Sequence, residues 1–100
     1  MLFHLKFIDS QDEEVSVRSW LKGDVTTSLG VWVLEKETGV FELAGVGKVS
    51  VRDSGQIVFE PKDGLNEARV LAEFGRTLYL NYAPKDRALR SMEVSLFERL

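Results

Sequence analysis

Apolar and polar residues alternate one by one through most of the first sixty positions, and that period of two restricts the fold more than any other feature. Phe3, Leu5 and Phe7 alternate with His4 and Lys6, which puts three apolar side chains on one face of a strand. After a polar turn from Ser10 to Glu14, Val15 and Val17 resume the alternation against Ser16 and Arg18. Val31, Trp32, Val33 and Leu34 are apolar on both faces, the pattern of a strand covered on both sides. Val40–Ala44 follows the turn at Thr38-Gly39. Val49 and Val51 alternate with Lys48, Ser50 and Arg52, and Ile57 and Phe59 begin another strand, closed by Pro61. Gly23-Asp24 breaks one run. Asp53-Ser54-Gly55 is a strong turn signal, because Asp bonds its own downstream backbone and Gly takes positive φ at no steric cost.

The composition changes at Asp63. Leu, Ala, Glu and Arg dominate from 65 to 76, and all favour helix. Asn66, Arg69, Glu73 and Arg76 share one face and Leu65, Ala68, Leu71 and Ala72 the other, with Asp63 as the cap and Gly75 as the terminator. Period two returns over Thr77–Ala83, where Leu78, Leu80 and Tyr82 share a face. Pro84-Lys85-Asp86 reads as a turn. The final segment, 88–100, fits both a strand (Met92, Val94, Leu96) and a helix (Leu89, Met92, Leu96, Leu100). The short turn before it favours a hairpin, hence a strand. The expected fold is therefore α+β and β-rich, one compact domain over residues 1–100. It is a mostly antiparallel curved sheet or half-open barrel of about seven to eight short strands, with one helix near 65–75.

The residue inventory excludes whole classes of chemistry. With no cysteine, the chain has no disulfides, no thiolate nucleophile and no sulfur-ligated zinc. A single histidine, His4, excludes mechanisms that need two imidazoles. The net charge is −3, and all the excess acid lies in the first half of the chain, the opposite sign from that of a generic duplex binder. The N-terminal stretch lacks the apolar run and small-residue cleavage site of a signal peptide, and no segment reaches the length of a membrane span. A leading Met suggests a complete small gene product, with the cytoplasm of a microbe or its phage as the expected address.

Five features come into question. Gly45-Val46-Gly47-Lys48 fails as a phosphate loop, because Glu42 stands where the first Gly belongs and Val49 where Ser or Thr belongs. Asp9, Asp12, Glu13 and Glu14 lack the spacing and central Gly of a calcium loop, and read as a solvated turn or a docking patch for a basic partner. His4 has no adjacent nucleophile to activate. Arg76, Tyr79, Tyr82, Lys85, Arg87 and Arg90 make a basic aromatic stretch of the kind that stacks bases and tracks phosphates in single strands. Trp20 lies off the Val15/Val17 face and is the aromatic best suited to anchor an interface.

No set of residues supplies base, nucleophile and charge stabiliser together, so the expected function is non-catalytic, with no cofactor and no metal. The leading reading is a protein-binding module, in its concrete form an immunity or inhibitor protein that blocks a toxin or nuclease. Asp12, Glu13 and Glu14 would steer a basic partner, and Trp20 would anchor it. The alternatives are a single-strand nucleic-acid binder using residues 76–90, and a self-assembling accessory protein that pairs exposed strand edges into a homodimer. A small ligand in the sheet or barrel mouth stays open at this level.

Overall fold

The computed structural model describes residues 2–52, 55–62, 67–85 and 89–98. The alternating segments form β1 (Leu2–Asp9), β2 (Val25–Thr27), β3 (Gly30–Glu35), β4 (Val40–Leu43), β5 (Gly47–Val51) and β6 (Ile57–Pro61). One helix, α1 (Glu67–Tyr82), separates them from β7 (Leu89–Glu98). All seven strands join one antiparallel sheet in the order β2-β3-β4-β5-β6-β1-β7, curled into a half-barrel. β2 to β6 form a meander, and β1 then lies between β6 and the last strand.

The register explains the two faces. Leu34, Phe41, Val49, Phe59 and Phe3 occupy successive paired positions across five strands and point inward. The corresponding outward row is Val40, Ser50, Val58, His4 and Ser95. Helix α1 fills the inner side with Val70, Leu71, Phe74, Gly75 and Leu78, an apolar stripe of helical period. The Phe74 ring lies 5.3 Å from Trp32 and 5.0 Å from Phe41, both edge-on, and Trp32 lies 6.0 Å from Phe59. Each such pair adds about 0.5–1.5 kcal/mol beyond the area it buries.

The structure corrects four expectations. First, the helix does not stop at Gly75. That residue is buried within α1, and a Cβ there would collide with Leu5 Cδ2, so Gly75 lets helix and sheet approach closely. Second, the strand expected over Thr77–Ala83 is the continuation of α1: Leu78 is fully buried but Leu80 is 75% exposed, so the period-two face does not exist. Consequently β7 pairs with β1, not with a hairpin partner just before it. Third, Val15–Val17 is no strand. Val15 N donates to Phe7 O at 2.9 Å, and the chain then enters a 3-10 turn at Arg18–Trp20. Fourth, β3 is covered on one face only. Trp32 is fully buried, while Val31 and Val33 face outward. The proposed cap Asp63 lies outside the described residues.

Candidate functional site

Asp9 organises the acidic loop. Its Oδ1 accepts from the backbone N–H of Gln11 at 2.8 Å and of Glu13 at 3.0 Å, while its own N–H donates to Glu13 O. Asp12 sits at φ 64°, a left-handed conformation that Asp tolerates. Its carboxylate meets the Arg90 guanidinium at 2.8 Å, with both side chains largely in solvent. Glu13 and Glu14 are exposed. Of the four clustered acids, Asp9 is thus held by the loop's own backbone, Asp12 meets Arg90, and Glu13 and Glu14 are exposed.

Trp20 is not at that surface. Arg18 Nη1 donates to Val51 O at 2.6 Å, fastening the 3-10 turn to the end of β5, and Gly39 at φ 72° leaves room for that guanidinium. The turn swings Trp20 inward, where it is 4% exposed and packs 5.7 Å from Phe7 and 6.0 Å from Tyr79. The expectation that Trp20 presents itself to a partner is corrected accordingly: the sequence offers it no strand to alternate on.

The basic aromatic stretch is also dispersed. Tyr79 packs on Phe7 and Trp20. Tyr82 turns toward the β2 side, its hydroxyl donating to Asp24 O at 2.9 Å. Arg76 and Lys85 are exposed, Arg90 faces Asp12, and Arg87 lies outside the described residues. The two rings are engaged in packing and hydrogen bonding and do not form a stacking platform.

His4 lies on the outward side of β1 yet is only 6% exposed, beside a cleft lined by Lys6, Glu14, Val15, Ser16 and Gln56. Burial holds its pKa below the ordinary 6.5, and the charges of Lys6 and Arg52 act the same way against an opposing effect from Glu14. Its imidazole is neutral at physiological pH. Glu73 on α1 accepts from Ser28 N at 2.6 Å, and hydrogen bonds from Ser28, aided by Arg76 and Arg69, hold its carboxyl below the usual range. That contact ties the β2–β3 turn to the helix. Among the described residues no three His, Cys, Asp or Glu side chains converge as metal ligands, and no helix is long and apolar enough to cross a membrane.

The surface that sequence reasoning missed is the outward side of β3 and β4. Leu29, Val31 and Val33 are 48%, 45% and 57% exposed. Val31 and Val33 stand two residues apart on the same face, and with Val40, Leu43 and Ala44 they line an open concavity of about 710 Å³. Glu35, Glu42 and Lys48 edge it, the last two meeting at 3.5 Å. The signal in the sequence was the helix count. One helix covers one side of a sheet, so a strand apolar on both sides has to leave one side open. Comparison of the chain with protein-family models, with curated proteins and with solved structures gives no match.

Proposed function

We propose that this protein is a non-catalytic protein-binding module that takes hold of its partner through the outward face of β3 and β4. The observation that supports the reading is the pair Val31 and Val33, apolar, adjacent and close to half exposed in a broad concavity. Apolar side chains grouped on one face with a charged rim are the usual anatomy of an interface, whereas singly scattered ones need no explanation. In its specific form the reading is an inhibitor or immunity protein acting on a basic partner such as a toxin or nuclease, with Glu13 and Glu14 contributing attraction at a distance.

The test is capture from a lysate after nuclease digestion, with the wild-type chain and a Val31→Lys, Val33→Lys double variant side by side. Both positions are exposed, so the variant keeps the fold, which far-ultraviolet circular dichroism verifies. A partner retained by the wild type and lost by the variant supports the reading. A partner held equally by both removes this face from the account. Capture that disappears on nuclease digestion moves the function to nucleic acid.

A further inference from the structure

The sheet has two open ends, and they differ in length. β2 ends it with three residues, and β7 ends it with ten, Leu89–Glu98. Among the described residues no strand pairs with the far side of β7. An edge strand turns every second backbone N–H and C=O outward, and those groups pair readily with another extended chain. Two hydrogen bonds of β1 fix which residues of β7 do so. Phe7 O accepts from Val15 N, and Asp9 N donates to Glu13 O, both on the side of β1 away from β7. Backbone groups alternate along a strand, so His4, Lys6 and Ile8 turn theirs toward β7. Ser95, Glu93 and Ser91 stand opposite these three and bond back to β1. The pairing skips Arg90 and Phe97, so the alternation runs unbroken over Ser91–Leu96. Within that run, Met92, Val94 and Leu96 have their N–H and C=O groups on the open edge.

We propose that β7 pairs antiparallel with β7 of a second copy of the chain, about a two-fold axis through Val94. The order of residues in the strand points to this occupant. Outward from Val94 in either direction, a polar residue is followed by an apolar one, in Met92-Glu93-Val94-Ser95-Leu96. The axis sets Val94 level with Val94, Glu93 with Ser95 and Met92 with Leu96, so no like charges stand opposite. Farther out, Arg90 comes level with Glu98, of opposite charge. An axis one residue earlier would set Glu93 against Glu93, so charge also fixes the register. The backbone agrees with that register. Val94 exchanges both of its hydrogen bonds with Val94 of the second copy, and Met92 exchanges both with Leu96. The axis stands perpendicular to the sheet, so the sheet continues from one copy into the next with its inner side shared. Met92 and Val94, half-buried in the single chain opposite Phe7 and Leu5, gain cover on that side. This surface is separate from the β3–β4 face, and the pairing stands whether or not that face binds a partner.

The experiment is sedimentation equilibrium of the whole chain at concentrations up to about 1 mM, with amide exchange followed by nuclear magnetic resonance. A contact one strand wide is small, so the dimer is expected toward the upper end of that range. Raising the concentration should slow exchange selectively at Met92, Val94 and Leu96, because the amides of Ser91, Glu93 and Ser95 are already bonded to β1. Ser95 is exposed on the outward side and takes a charge without disturbing the core. Ser95→Glu sets a glutamate level with Glu93 of the other copy, once on each side of the axis, and weakens the dimer by about fivefold. Ser95→Lys tightens it by about as much, and Glu93→Lys combined with Ser95→Glu restores it. Unfolding at micromolar concentration, where the chain is single, verifies the fold of each variant. A monomer throughout the range, equal effects of the two Ser95 variants, or concentration-dependent shifts confined to the β3–β4 face overturns the proposal.

Discussion

The two sides of β3 carry the same kind of residue and meet opposite fates. Trp32 turns inward and is fully buried against Phe59 and Phe74, with its indole N–H donating to Thr27 Oγ1 at 3.2 Å. Val31 and Val33, its neighbours in the chain, face solvent over a shallow concavity. Hydrophobicity does not separate the two sides; the position of α1 does, because the helix lies on one side of the sheet only. A residue is buried when an element exists to cover it, and an apolar side left open is where an outside partner gains most from contact.

The comparison breaks most visibly at Trp32. Trp32→Ala removes the largest fully buried side chain and leaves a void beside Phe74, so urea unfolding should give a loss of about 3–5 kcal/mol. A loss under 1 kcal/mol, against that scale, would mean that the inner side relaxes around the void and is not a close-packed core. Gly75→Ala should cost about 1–3 kcal/mol by the same measurement, although alanine is the better helix former. The added methyl meets Leu5, and the double variant with Leu5→Ala tests this: partial recovery relative to the sum of the single losses identifies the collision as the cause. Val49→Thr, on the same inner side, buries a hydroxyl and should cost about 1–3 kcal/mol.

His4 offers a test by pH on the other side of the sheet. Its folded pKa is lowered, first by burial and then by Lys6 and Arg52, with Glu14 opposing, so below 6.5 the unfolded chain binds the proton more readily. The contribution of the neutral imidazole to stability is complete above 6.5 and is lost as pH falls through the lower folded value. The difference in unfolding free energy between the wild type and His4→Gln should therefore narrow on acidification over that range. A difference independent of pH would remove the buried imidazole from the account. On the outward side, then, the region near His4 and Val58 is buried and that near Val33 is open.

Much of the inner face was legible in the residues, and most of the candidate surface was not. Period two at Phe3–Phe7 and at Val49–Phe59 identified strands whose inward residues form the core, with Leu5, Phe7, Val49, Val51, Ile57 and Phe59 buried and Phe3 half-buried at its edge. The β-rich, half-open antiparallel sheet with one helix followed from the number of such runs. The extent of α1 escaped because Leu78 and Tyr82, four residues apart, fit a helix as well as a strand, while Leu80 fits the strand alone, and only the packing of Leu78 against the sheet decides between them. Trp20 escaped because its direction depends on a contact between Arg18 and Val51, thirty-three residues apart. The acidic loop was found by composition, yet its pairing with Arg90 is a product of β7 lying beside β1.

The smallest expected effect sharpens the opening comparison most. Val33→Thr keeps the branched Cβ and changes one methyl to a hydroxyl, the same exchange as Val49→Thr. At position 33 the hydroxyl meets water, so stability should move by no more than about 0.5 kcal/mol. Measured together, the two variants hold residue chemistry and strand propensity fixed and vary only the side of the sheet. Equal losses would show that Val33 is covered in solution, by its own chain or by a second molecule, and a concentration series then separates these, since only the second depends on protein concentration. Unequal losses, with Val33→Thr neutral in the free protein but weakening partner capture, assign the valine to binding and not to folding.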